Sequence, residues 1–135
     1  MTAENVRTNV AAELARADEA LRAASVLLRE GLYNDSISDA YYATFHAVRA
    51  LLFTLGEEPR SHRGALHLFN LHFVRTGKFE ARHLSAFAQA QYDRTSADYG
   101  AVRRFSRDEA ASELTLANEF IQAVRGYLKG EGFPG

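Results

Sequence analysis

From Val6 onward, apolar residues recur at steps of three and four: Val6, Val10, Leu14, Ala17, Leu21, Ala24 and Leu28. That spacing lays one stripe along a helix, with Glu13, Arg16, Glu19 and Arg22 on the opposite face. Gly31 supplies a stop, and Asn34 or Asp35 can cap the next helix. Its stripe is Ile37, Tyr41, Thr44, Val48, Leu51 and Leu55, widened by Phe45 and Leu52, and Gly56 and Pro59 end it. Ser61 starts a shorter helix that carries Leu66, Phe69, Leu71 and Phe73 and stops near Thr76 and Gly77. Leu84, Phe87, Ala88, Gln91 and Thr95 mark a fourth segment that runs to about Tyr99 and Gly100. Ser106 with Glu109 three residues on reads as a capping box. Leu114, Ala117, Ile121, Val124 and Leu128 follow it, and Gly130 closes the helix.

No stretch of useful length alternates with strand period, and short connections between long amphipathic helices favour antiparallel neighbours. The expected fold is therefore all-α: an up-and-down four-helix bundle with an additional short helix over 61–75. A single helical domain over residues 1–130 with a short tail over 131–135 accounts for the whole chain. At 135 residues the chain can bury a substantial core without metals or cross-links.

Composition narrows the chemistry. No cysteine occurs, which excludes disulfides, a thiolate nucleophile and cysteine-held metal centres. The N-terminus lacks a signal-type apolar core, and charges interrupt every later apolar run, so a soluble cytoplasmic protein with no membrane partner is expected. There is no phosphate-binding loop, zinc-protease motif or dinucleotide fingerprint, and no cofactor is implied. His62, His67 and His72 are spaced by five and do not stack on one helical face, so no metal site is expected.

Charge matters locally, because sixteen basic and seventeen acidic residues nearly cancel. Between Arg60 and His83, Arg60, Arg63, Arg75, Lys78 and Arg82 face a single acid, Glu80. Arg94, Arg103, Arg104 and Arg107 form a second cationic group. Gathered on one face, Arg60, Arg63, Arg94, Arg103 and Arg104 would bind the phosphates of RNA or a nucleotide. The alternative is a solvated surface neutralised by acids elsewhere. In SDAYYATFHAVRALLF, residues 38–53, Tyr41, Phe45, Val48 and Leu52 should build the core. Tyr42, His46 and Arg49 share a different face, which should approach a second helix near a dimer or ligand-facing surface.

Residues 31–79, GLYNDSISDAYYATFHAVRALLFTLGEEPRSHRGALHLFNLHFVRTGKF, and the later YDRTSADYG, residues 92–100, resemble the HEPN domain family in its small stand-alone prokaryotic branch. The resemblance implies a bundle of four main helices plus a short one. It also implies a homodimer, and a gene often paired with a minimal nucleotidyltransferase that serves as antitoxin. Many such HEPN partners are metal-independent endoribonuclease toxins, with an arginine followed after four to six residues by a histidine. Arg94 matches that arginine, but Tyr99 stands where the histidine is expected. A phenol titrates near 10 and is a poor general base at neutral pH, whereas imidazole titrates near 6.5. Arg94 can also pair with Asp98, four residues on along the helix. Arg60 and His67, with His62 between them, satisfy similar spacing but lie outside the family's motif region.

The leading expectation is an RNA- or nucleotide-binding HEPN protein of a toxin–antitoxin type system. One alternative is an active endoribonuclease in which Arg94 works with Asp98, Tyr99 or a histidine donated by another helix. Another is a non-catalytic structural adaptor.

Overall fold

The computed structural model describes residues 2–99 and 103–133. Within them lie α1 (Ala3–Arg29), α2 (Tyr33–Phe53), α3 (His62–Phe69), α4 (Ala81–Tyr99) and α5 (Arg107–Gly130), and a π-helical turn, Asn70–Val74, prolongs α3. No strand occurs among the described residues, and the all-α bundle expected from the periodicity is the observed architecture. Gly100 and Pro134, expected as a helix end and as part of the tail, lie outside the described residues.

α2 is the axis of the molecule. Ile37, Tyr41, Ala43, Ala47, Val48, Ala50, Leu51 and Leu52 along it are all sealed from solvent. A helix buried almost all round needs neighbours on several sides, and α1, α4 and α5 all pack on it. The alanines at 40, 43, 47 and 50 let those neighbours approach closely, as where Ala40 meets Ala24 of α1 and Ala117 of α5. α1 and α2 run antiparallel, joined by the short link 30–32 in which Gly31 adopts a φ of 79°. α4 lies chiefly on α2 and makes little contact with α5. At one end, Phe69, Phe73, Phe79 and Phe120 interlock, with the Phe69 and Phe120 rings edge to face at 5.6 Å.

The capping box at the head of α5 is present. Ser106 Oγ accepts from the Glu109 amide at 3.1 Å, and Glu109 Oε1 accepts from the Ser106 amide at 2.9 Å. Three other expectations need correction. α2 starts at Tyr33, so neither Asn34 nor Asp35 caps it. Asn34 instead ties the chain after α4 to α2: its Nδ2 donates to Arg103 O at 3.1 Å and its Oδ1 accepts from the Phe105 amide at 3.0 Å. Leu55 and Leu71, assigned to apolar stripes, are exposed, because the bundle ends at the turn after Phe53 and Leu71 faces away from the phenylalanine cluster. Glu13, assigned to the polar face of α1, is buried. Beyond α5, Phe133 packs on the core beneath Arg7, its amide bonded to Leu128 O at 2.8 Å.

Candidate functional site

The residues that carry chemistry meet where α2, the head of α3 and α4 come together. On α2, consecutive tyrosines point about 100° apart. Tyr41 therefore enters the core while Tyr42 lies half-buried at its edge. The Tyr41 hydroxyl is hydrogen-bonded to Nδ1 of His62. His62 is the first residue of α3 and follows the N-cap Ser61, whose Oγ accepts from the Gly64 amide at 3.0 Å. A Cβ on Gly64 would sit 3.0 Å from that oxygen, so glycine in S-H-R-G keeps the cap close. The His62 ring is edge-on to Tyr41 at 5.0 Å and to Phe45 at 4.9 Å.

Arg94 approaches from α4. Its Nη2 donates to the Tyr42 hydroxyl at 2.6 Å, and its Nε lies 3.0 Å from Asp98 Oδ2. The approach of Nε is misaligned, so that N–H makes no hydrogen bond. The guanidinium also lies over the rings of Tyr42 at 5.2 Å, Tyr99 at 5.8 Å and Tyr41 at 5.9 Å. Only 13% of the Arg94 side chain is exposed. In the free protein Arg94 is thus held within its own subunit by Tyr42 and Asp98.

Burial, helped by the nearby positive charge of Arg94, pulls the His62 imidazole below its ordinary pKa and keeps it neutral at pH 7. Burial pushes the Tyr41 phenol far up, so it stays protonated. Beside this cluster opens a cleft of about 290 Å³ lined by Tyr41, His62, Arg63, Leu66, Phe87, Ala88 and Gln91.

The other expected site residues divide. Tyr99 and Asp98 join Arg94, and Arg63 stands exposed at the cleft with no ion pair among the described residues. Arg60 is exposed just before α3. Arg103 pairs with Glu109 at 2.7 Å and lies over the Phe105 ring, while Arg104 lines a separate hollow beside the start of α2. Asn34 holds the Arg103 backbone about two helical turns, roughly 12 Å, along α2 from Tyr42, so Arg103 and Arg104 sit apart from the cleft while Arg94 of the same cationic group lies beside it.

Tyr42, His46 and Arg49 also separate. Tyr42 turns to α4, whereas His46 Nδ1 lies 2.7 Å from Glu13 Oε2 and Arg49 Nε 3.3 Å from Glu13 Oε1. Arg49 also donates to Pro59 O at 2.6 Å, which fixes the loop that delivers His62. Burial opposes the Glu13 charge, but His46 and Arg49 outweigh it and hold the carboxyl below its ordinary value. Sequence reasoning gave no role to Glu13 and set His62 aside. The local signal for His62 was S-H-R-G, a cap followed by a histidine, but its partners are 21 and 32 residues away. No cluster of metal ligands forms among the described residues, and no helix among them is long and apolar enough to cross a membrane.

Known proteins resemble this sequence along most of its length. A Methanocaldococcus jannaschii protein that carries the name "Putative toxin" is 32% identical over 126 residues, 93% of each chain. A UPF0332 protein of Pyrococcus horikoshii is 38% identical over 112 residues, covering 83% of this chain and 68% of the relative. A UPF0332 protein of Thermotoga maritima is 33% identical over 115 residues, 84% and 86% of the two chains. The HEPN domain model matches residues 10–127. A match that runs from within α1 almost to the end of α5 makes this chain a member of the HEPN domain family.

Proposed function

We propose that this HEPN protein binds the phosphates of RNA or of a nucleotide at the α2–α3–α4 cleft. In this reading it is a cytoplasmic toxin-type component of a two-gene system whose other member is a minimal nucleotidyltransferase. The observation that carries the binding is a cleft lined by Arg63, His62 and the rings of Tyr41 and Phe87, with the Arg94 guanidinium packed over Tyr41 and Tyr42 beside it. Cations beside stacking surfaces suit single-stranded nucleic acid. The names of two Methanocaldococcus jannaschii relatives support a toxin-type role. A homodimer through α4 fits Tyr92 and Tyr99, which stand seven residues apart on one helix face and are 70% and 73% exposed.

Because Asp98 occupies Arg94, an incoming phosphate displaces that carboxylate. Fluorescence titration of single-stranded RNA at several salt concentrations tests the reading. Arg94→Ala and Arg63→Ala should each weaken binding and shallow its salt dependence, while Asp98→Ala should tighten it. Binding that ignores both arginine substitutions would remove the cleft from any nucleic-acid role.

The second reading, RNA cleavage, is favoured by the placing of neutral His62 within reach of the Arg94 cluster, where it can supply the acid–base group that Tyr99 lacks. In EDTA, His62→Ala should abolish cleavage and Tyr99→Phe should spare it. Cleavage intact in His62→Ala would exclude this histidine.

A further inference from the structure

We propose that the hollow between α2, α4 and α5 is a binding site for a short-chain primary amine, whose ammonium group is received by Glu113, His83 and Thr44. This hollow is separate from the α2–α3–α4 cleft, with only Phe87 common to the two linings, and its assignment does not depend on the phosphate-binding reading.

Two independent features point to a guest with a cationic head. The first is a pair of carboxylates without a cation. Glu113 of α5 is hydrogen-bonded to Asp93 of α4, and neither takes part in an ion pair among the described residues. Arg82, also in the lining, is engaged by Glu80 at 3.3 Å and Glu119 at 3.9 Å. The second feature is His83, which lines the hollow and is only 8% exposed. Its ring packs on Phe120 at 5.4 Å and Phe79 at 6.1 Å, yet neither ring nitrogen has a hydrogen-bond partner among the described residues. Buried polar groups are seldom left unpaired, and each exception calls for a physical reason. Burial, with Arg82 beside it, holds this imidazole below its ordinary pKa, so near pH 7 one ring nitrogen is an acceptor. Thr44 Oγ1 donates to Ala40 O at 3.3 Å and keeps lone pairs for a donor. A primary ammonium carries three N–H groups, and the carboxylate, imidazole and hydroxyl on this one hollow are three acceptors.

The rest of the lining suits an alkyl chain: Ala40, Ala86, Ala90 and Ala117 with the Phe87 and Phe120 rings. The hollow measures about 120 Å³, and an apolar cavity of about 150 Å³ holds one benzene, so a guest of roughly five heavy atoms fits. Two carboxylates disfavour an anion of the same size. Burial and Asp93 raise the Glu113 carboxyl to about 8, so at pH 7 an arriving ammonium replaces the proton of the pair and leaves the charge of the site unchanged. The other charged or titratable groups about the pair are Arg82 and His83 of α4 and Glu119, Asp108 and Glu109 of α5, with Glu109 held by Arg103. α2 brings no titratable group to the lining.

Calorimetry of the full chain with n-butylamine, 1-butanol and butyrate tests the site. Butylamine should bind about tenfold or more tighter than 1-butanol, as hydrogen bonds to a charged group predict, and butyrate should not bind. An alkylamine stays charged much as lysine does, which titrates near 10.4. Its affinity should therefore climb from about pH 6 to about 8 and then level, with close to one proton released per amine at pH 7. Titrations in buffers of different ionisation heat read that release. Glu113→Gln, which cannot ionise, should abolish the release and weaken binding about tenfold or more. His83→Gln should weaken binding and keep the release, and circular dichroism confirms that each variant is folded. Equal affinity for butylamine and 1-butanol would overturn the assignment. So would unchanged binding in Glu113→Gln, or the absence of butylamine binding to the wild-type chain at pH 9.

Discussion

Glu13 illustrates how much one buried side chain can organise. Its carboxylate receives His46 and Arg49 from α2 and Arg16 from its own helix at 3.0 Å. Its neighbour Arg49 goes on to hold Pro59, two residues before the cap of α3. Removing one member of such a buried set leaves the remaining charges without compensation, which costs about 3–5 kcal/mol. Glu13→Ala should lower the urea midpoint accordingly. Glu13→Gln, which keeps hydrogen-bonding atoms but not the charge, should fall between the two. Because the strut ends at the loop before His62, Glu13→Ala should also weaken ligand binding at the cleft, although Glu13 itself lies on α1. A midpoint within experimental error of wild type would mean that solvent, not Glu13, balances Arg49.

Among the elements, the short third helix departs most from regular geometry. Four α-helical residues overshoot a full turn by about 40°, so Ala65, Phe69 and Phe73 would drift round the helix. The wider turn at Asn70–Val74, closed by the Arg75 amide to Asn70 O at 2.9 Å, keeps Phe69 and Phe73 stacked, their planes 25° apart. Gly77, at a φ of 79°, then reverses the chain so that the Phe79 amide reaches Phe73 O at 2.9 Å. Phe73→Ala should cost about 3–5 kcal/mol in chemical denaturation, as for other buried aromatics. A loss below about 1 kcal/mol would mean that the cluster collapses onto the gap. The helices themselves were legible in the sequence because each must turn one continuous stripe to α2, and the stripe at 6–28 or at 114–128 is a local property. The Ser106–Glu109 cap was legible for the same reason. Asn34 was not: capping α2 and bridging to Arg103 and Phe105 look alike until the distant partner is known. Glu13 and His62 share that difficulty, since a carboxylate beside a stripe and a histidine after a cap take their meaning from residues on another helix. Arg94 and Asp98 were readable as an i, i+4 pair, but the third member of the cluster, Tyr42, comes from 52 residues away.

For the molecule as a whole, the near balance of charge hides opposed titrations. Glu113 of α5 faces Asp93 of α4 where those helices barely touch, and Arg82, His83 and Thr44 line the hollow beside it. Burial first, then the hydrogen bond and like charge of Asp93, push the Glu113 carboxyl from 4.5 up to about 8. The folded protein therefore holds a proton there that the unfolded chain has released. Between pH 4.5 and about 8 the native state binds more protons, so the slope of stability against pH is negative. This contribution is complete below pH 4.5 and is lost as pH rises through about 8. His62 and His83 act with the opposite sign. Both are held below 6.5, chiefly by burial, so the unfolded chain binds the extra proton and stability falls as pH drops below 6.5. Thermal melting from pH 6 to 9 separates the two. The wild-type midpoint should fall across that range, and Glu113→Gln, which keeps a hydrogen-bonding partner for Asp93 and cannot ionise, should fall less. Two parallel curves would show that the carboxylate pair separates freely on ionisation, and that α4, with Arg94 and Gln91 upon it, does not depend on the shared proton for its place against the bundle.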